Sequence, residues 1–109
     1  MLQNHYCTRK KNVTNYKLIG LVDDSNIRDS YKLNDKTYIT LKGICLNYSK
    51  AFRNICISIK DLSQKIRLTE FETGFGINKL IDKGLIVKPF KRNEYLFTQE
   101  FWEALGEEL

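Results

Sequence analysis

Residues 58–84, SIKDLSQKIRLTEFETGFGINKLIDKG, contain two hydroxyl residues that are each followed three positions later by an acid. Ser58 precedes Asp61, and Thr69 precedes Glu72. In such a capping box the hydroxyl accepts a hydrogen bond from a first-turn amide, and the acid accepts one from the amide of the cap residue. Two capping boxes 11 residues apart predict two short helices with a tight joint, the central feature of a helix-turn-helix.

The first of these helices should cover about residues 59–66, and the second should run from the Thr69 cap to Gly84, which suits a left-handed C′ position. Gly74 and Gly76 each weaken a helix by about 1 kcal/mol relative to alanine, so a late start near Gly76 is the alternative to a start at the Thr69 cap. A close approach to DNA and a tight helix crossing both explain these glycines. The apolar face of this helix is predicted to bury Phe71, Ile77, Leu80 and Ile81.

Upstream, residues 13–22 are rich in β-branched and aromatic residues and predict a strand. Asn34 and Asp35 offer an N-cap for a helix over about 36–50, and residues 54–57 are β-prone. The helix is predicted from apolar residues at three- and four-residue steps: Tyr38, Leu41, Ile44, Cys45, Tyr48 and Phe52.

Downstream, two apolar segments flank the polar turn 91–93, so residues 85–97 predict a β-hairpin. A last helix is expected over about 99–108. Its apolar stripe packs either on the first helix of the same chain or on a second subunit, and two-fold symmetry favours a homodimer. The residues assigned to that dimer interface are Phe101, Trp102, Leu105 and Leu109.

Taken in order, these elements resemble the winged helix-turn-helix family. The resemblance covers residues 36–109 and rests on the segments ISIKDLSQKIRL, INKLIDKGLIVK and EYLF. It implies an α+β fold with a three-helix core and a β-hairpin wing, to which the sequence adds an N-terminal strand and a C-terminal helix. We expect residues 1–12 to form a flexible basic arm and residues 13–109 to form a single domain.

Two branches of this family are similar to the chain. Small bacterial regulators of the multiple-antibiotic-resistance type share the element order and the closing helix. The N-terminal domains of plasmid and phage replication initiators share the spacing from TYITLKGICLNYSK to ISIKDLSQKI. The resemblance implies that the third helix lies in the major groove of duplex DNA and that the wing reaches the backbone.

The charge distribution also favours a polyanionic partner. Residues 99–109 contain four of the 13 acids and no base, so residues 1–98 combine all 18 bases with nine acids for a net charge of +9. A solvated lysine-rich surface is the alternative explanation. For sequence-specific DNA binding, the expected backbone contacts are Lys60, Lys65, Arg67, Lys88, Lys91 and Arg92, and the expected base contacts are Thr73, Asn78 and Lys79.

Transcriptional regulation is the favoured role, with replication initiation or a winged-helix module that binds a protein partner as alternatives. Glu70 and Glu72 would repel phosphate if they faced the groove, which supports the protein partner. Such a module would use either the acidic third helix or the aromatic C-terminal stripe.

Other classes of function find little support in the sequence. His5 and Cys7 are too few to form a metal site, and the segment 74–76 lacks the third glycine and the flanking residues of a nucleotide loop. No nucleophile, base and acid are arranged for catalysis, so neither an enzyme nor a cofactor is expected. The absence of a long apolar run and of a secretory signal favours a cytoplasmic protein with no membrane contact, and its widely spaced cysteines are expected to be reduced thiols.

Overall fold

The computed structural model describes residues 12–106 of the chain, which form six helices and a four-stranded antiparallel sheet. The proposed arm lies outside the described residues except for Asn12, which begins the first helix. No helix in this part of the chain is both long and apolar enough to cross a membrane. In chain order the elements are α1 (Asn12–Asp24), α2 (Ile27–Ser30), α3 (Asp35–Leu46), β1 (Tyr48–Ser49), β2 (Asn54–Cys56), α4 (Ile59–Ile66), α5 (Glu70–Asp82), β3 (Ile86–Val87), β4 (Glu94–Phe97) and α6 (Gln99–Ala104).

The predicted N-terminal strand is wrong, because residues 13–22 belong to helix α1. Leu18 and Val22 are buried one turn apart, whereas Tyr16 and Leu21 are exposed. This burial follows the period of a helix, and packing on α3 has overridden the β-propensity of the segment. The short helix α2 was not predicted.

A hydrogen-bonded cluster fixes α1 against α3. The Tyr38 hydroxyl donates to the Asp23 carboxylate, and Lys42 Nζ lies 3.6 Å from the same carboxylate. Burial of the phenol, followed by its bond to Asp23, raises the pKa of Tyr38. The ring of Tyr38 also lies 4.9 Å from Lys42 Nζ, so this cluster joins the helices through polar and cation–π contacts.

The predicted helix caps are confirmed. Asn34 caps α3 by accepting a hydrogen bond from the Thr37 amide at 2.8 Å, and Ser58 caps α4 by accepting one from the Asp61 amide at 3.0 Å. Thr69 and Glu72 form both bonds of a capping box, whereas among residues 12–106 the predicted box at Ser58 has only the bond from the Asp61 amide. Helix α5 therefore begins at Glu70, and the alternative of a late start near Gly76 is wrong.

Helices α3, α4 and α5 contact one another, and two glycines allow their close approach. A Cβ atom on Gly43 would lie 2.5 Å from Ile66 Cγ2, and one on Gly76 would lie 2.7 Å from Thr40 Oγ1. Both distances are shorter than van der Waals contact, so the α3–α4 and α3–α5 crossings depend on glycine. The core between these helices and the sheet includes Leu41, Ile44, Leu62, Ile77 and Leu80.

The sheet has the strand order β1-β2-β4-β3. Ile55 of β2 is opposite Tyr95 of β4, and Ile86 of β3 is opposite Phe97 of β4, with both pairs antiparallel. The predicted hairpin at 85–97 is therefore confirmed, and β2 joins it to the segment before α4. Strand β1 replaces the end of the expected first helix, which stops at Leu46 instead of residue 50.

Gly84 ends α5 as predicted. Its φ of 79° places it in the left-handed region, and the Leu85 amide donates to the Leu80 carbonyl at 3.0 Å. This bond closes the helix in the Schellman manner. The chain then turns directly into β3, so α5 and the hairpin follow each other with only three residues between them.

Candidate nucleic-acid interface

Helix α4 presents cationic side chains because its apolar residues face the core. Leu62 and Ser63 are buried, and Ile59 and Ile66 are partly buried against the core. The remaining face of the helix exposes Lys60 and Lys65. Arg67, also exposed, ends the helix with a left-handed φ of 62°.

The hairpin β3–β4 carries a second group of cations. Lys88, Lys91 and Arg92 are exposed, and Lys88 Nζ lies 5.4 Å from the centroid of the Tyr95 ring. Phe90, next to this group, is fully exposed. The hairpin therefore combines positive charge with an unburied aromatic ring, a combination that suits contact with a nucleic-acid backbone and its bases.

The six residues predicted to contact the DNA backbone share a further property. None of them forms an ion pair with an acid within residues 12–106. Several acids of the same region are engaged elsewhere, since Asp35 binds Arg28, Asp23 binds Lys42 and Glu72 binds Lys36. The charges of the six cations are thus not offset by direct partners in this region.

Only two of the three residues predicted to contact bases are exposed on helix α5. Asn78 and Lys79 are exposed, but Thr73 is buried, and its hydroxyl donates to the Thr69 carbonyl at 2.9 Å. Thr73 therefore cannot reach a base edge, and this prediction is wrong. Thr73 can be buried because its methyl group is apolar and its hydroxyl bonds to a backbone carbonyl of its own helix.

The exposed face of α5 also contains aromatic residues. Phe71 is 82% exposed and Phe75 is 50% exposed, one turn apart on the same face as Asn78. The predicted burial of Phe71 is wrong, and Ile81 is only partly buried. The apolar pattern of the helix predicted a core position for Phe71, whereas the structure turns this position outward because Thr73, Ile77 and Leu80 are the buried residues of α5.

The acids at the start of α5 are not equivalent. Glu72 accepts hydrogen bonds from Lys36 Nζ at 2.5 Å and from the Thr69 amide at 3.0 Å. The Lys36 bond, followed by the bond to the Thr69 backbone, lowers the pKa of Glu72. Glu72 is thus held by Lys36 and by the capping box, while Glu70 is exposed in the first turn of the helix.

The predicted dimer face of α6 is largely buried within its own chain. Phe101 is 0% exposed and Leu105 is 9% exposed, while Trp102 is partly buried. The rings of Phe97 and Phe101 stack with centroids 4.0 Å apart, and Trp102 packs edge-on to Tyr48 at 5.5 Å. These residues therefore pack within their own chain, but their ring contacts are with Tyr48 of β1 and Phe97 of β4, not with the first predicted helix, now α3, as expected. Leu109 lies outside the described residues.

Metal ligands are not clustered in the described region, where no group of three His, Cys, Asp or Glu residues could hold an ion. His5 and Cys7 lie outside that region. Cys45 is buried, and this burial raises the pKa of its thiol, whereas Cys56 is exposed.

Comparisons of the chain with protein-family models, with curated proteins and with solved structures found no match.

Proposed function

We propose that the protein is a winged helix-turn-helix protein that binds duplex DNA in a sequence-specific manner. The order α3, β2, α4, α5, β3 and β4 supports this proposal, as does the pairing of β2 with the hairpin. In this arrangement α4 and α5 are the helix pair and β3–β4 is the wing. Helix α5 would enter the major groove, and the wing would lie along the backbone.

The observation that carries the proposal is the set of six exposed cations on α4, on the turn after it and on the wing. None of them pairs with an acid within residues 12–106. Phosphate oxygens are natural partners for such side chains, and neutralising them releases counterions from the DNA. These contacts would hold the protein on the duplex in a fixed orientation.

The exposed face of α5 has side chains that can read bases. An asparagine such as Asn78 can form a bidentate pair with adenine, and a lysine such as Lys79 can bind guanine. Phe71 and Phe75 offer apolar contact to thymine methyl groups. The charge of Glu72 is offset by Lys36, so this acid is less repulsive to DNA than its position in the sequence suggests.

The experiment that tests the proposal is selection of bound duplexes from a random pool, followed by affinity measurements on the selected site. Asn78→Ala should lose about 1–3 kcal/mol of discrimination at one base pair. Gln99→Ala is the matched control, because it removes an exposed amide from α6 instead of α5. Failure to enrich any sequence, with no retention of duplexes even at low salt, would reject the proposal.

The form of the selected site separates two biological roles. A palindromic site would indicate a small transcriptional regulator that acts through two copies, and tandem direct repeats would indicate a replication initiator. The regulator is our preferred role. Because Phe101 and Leu105 are buried within the chain, a homodimer would have to form through other residues.

A protein-binding module is the second candidate, and the exposed rings of Phe71 and Phe75 favour it. Aromatic side chains often anchor protein interfaces, and Glu70 lies beside them. If this function is correct, Phe71→Ser with Phe75→Ser abolishes it and Lys91→Glu with Arg92→Glu leaves it intact. DNA binding predicts that the charge-reversed pair suffers the larger loss.

A further inference from the structure

A small cleft lies between the start of α3 and the second half of α5. Its volume is about 150 Å³. Three of its lining residues are lysines, and its one hydroxyl belongs to Thr37. The residues that line it are Lys32, Leu33, Asn34, Thr37, Lys79 and Lys83.

The N-terminus of α3 contributes backbone polarity to this cleft. The helix is 12 residues long, and its Asn34 cap satisfies the amide of Thr37. The amides at the first helical positions have no acceptor within a helix, and the macrodipole adds partial positive charge at this end. An anion in the cleft would meet both features.

Thr37 gives an independent sign of a ligand. The residue is 2% exposed, and its hydroxyl has no hydrogen-bond partner among residues 12–106. The hydroxyls of Thr40 and Thr73 differ, since each donates to the carbonyl four residues earlier. A buried hydroxyl without a partner is unfavourable, and a ligand oxygen in the cleft would satisfy it.

The lysines of the cleft are also not engaged by acids. Lys32, Lys79 and Lys83 form no ion pair within the described residues 12–106. Asp35, in the first turn of α3, binds Arg28. Lys32 has a left-handed φ of 56°, a backbone conformation that glycine adopts with less strain.

We propose that this cleft binds a phosphate group. Three ammonium groups offset its charge, and the Thr37 hydroxyl donates to one of its oxygens. The phosphate can come from a free phosphorylated compound or from a DNA backbone, because both present the same tetrahedral anion. The site does not depend on the proposed base contacts, apart from the use of Lys79 in both surfaces.

The test is an NMR titration of the full chain with inorganic phosphate at constant ionic strength, with chloride as the balancing anion. Saturable shifts are expected for the amides of Asp35, Lys36 and Thr37. Thr37→Val removes the hydroxyl and keeps the shape of the side chain, and it should weaken binding about tenfold. Lys17→Gln, which removes one exposed lysine from α1, should leave the affinity unchanged.

Lys32→Gly tests whether a loss of phosphate binding can occur without a loss of folding stability. Glycine suits the left-handed backbone at this position, so the variant should fold at least as well as the native chain while phosphate binding falls about tenfold. Absence of saturable shifts in the millimolar range, or equal affinity in Thr37→Val, Lys32→Gly and the native chain, would overturn the proposal. Neither result would bear on sequence-specific DNA binding, because the titration contains no DNA.

The same variants identify the source of the phosphate. If Thr37→Val weakens binding of both inorganic phosphate and duplex DNA, the cleft holds a backbone phosphate. If the variant loses inorganic phosphate but keeps its affinity for DNA, the cleft holds a free phosphorylated compound. Each of these results supports the phosphate site and assigns its ligand.

Discussion

Gly76 fixes the distance between α5 and α3. A Cβ atom at this position would lie 2.7 Å from Oγ1 and 3.1 Å from Cβ of Thr40. The Thr40 hydroxyl is itself bonded to the Lys36 carbonyl at 2.8 Å, so its side chain cannot move away without losing that bond. Gly76 is therefore explained by the helix crossing, since it is buried against α3 and does not face solvent.

Gly74 offers a matched comparison on the same helix. Its Cβ would lie 3.9 Å from Ile59 Cδ1, an ordinary contact distance. We expect Gly76→Ala to destabilise the protein by about 1–3 kcal/mol through overpacking. Gly74→Ala should stabilise it by up to about 1 kcal/mol, because alanine favours the helix. Urea denaturation measures both changes, and a stabilising Gly76→Ala would contradict the crossing argument.

At the level of single residues, the sequence predicted the interactions that depend on local spacing. The caps at Ser58 and Thr69 need only a hydroxyl at the right distance from the first-turn amides, and both were found. The orientations of Phe71 and Thr73 depend on which face of α5 meets α3. That choice depends on tertiary contacts, such as the close approach of Gly76 to Thr40, which no local pattern reveals.

At the level of elements, α6 acts as part of the core of its own chain. Phe101 is fully buried, and its ring contacts those of Phe97 and Trp102, with centroids 4.0 Å and 5.1 Å away. Thr98 caps the helix by accepting from the Phe101 amide at 3.1 Å, and its hydroxyl contacts the Gly84 carbonyl at 2.6 Å. These contacts attach α6 to the hairpin and to the end of α5.

Phe101→Ala should therefore destabilise the protein by about 3–5 kcal/mol, because it leaves a cavity in the core. Glu103→Ala is the control on the same helix, and its exposed position should limit the change to about 0.5 kcal/mol. Chemical denaturation of the two variants checks this prediction. A loss below about 1 kcal/mol for Phe101→Ala would show that the ring is not held in the core as described.

The prediction of elements failed where tertiary contacts outweigh local preference. Asn15 is buried in α1, and its side-chain amide donates to the carbonyl of Leu46 at the end of α3. In the sequence, Asn15 stands among β-branched and aromatic residues, which is the composition expected of a strand. Its burial and its bond to Leu46 form only when the segment is packed on α3. Helices α4 and α5 were predicted because their caps and their apolar spacing agree with each other.

At the level of the whole molecule, charge is separated along the chain. Lysine and arginine dominate α4 and the hairpin, while α6 carries Glu100 and Glu103 and no base. Glu100 accepts a hydrogen bond from the Tyr31 hydroxyl at 2.8 Å, and this contact joins α6 to the region of α2. The composition predicted this asymmetry, but the absence of acidic partners for the six cations within residues 12–106 depends on the fold.

This asymmetry gives a quantitative expectation for the salt dependence of DNA binding. If the six cations each neutralise a phosphate, the slope of log affinity against log salt is about −5. Lys91→Gln with Arg92→Gln should reduce its magnitude by about 2, since each lost contact removes about 0.9. Lys17→Gln should leave the slope unchanged, because that lysine lies on α1. Fluorescence anisotropy at several salt concentrations measures all three slopes. An unchanged slope in the wing variant would remove the hairpin from the DNA interface and favour the protein-binding module.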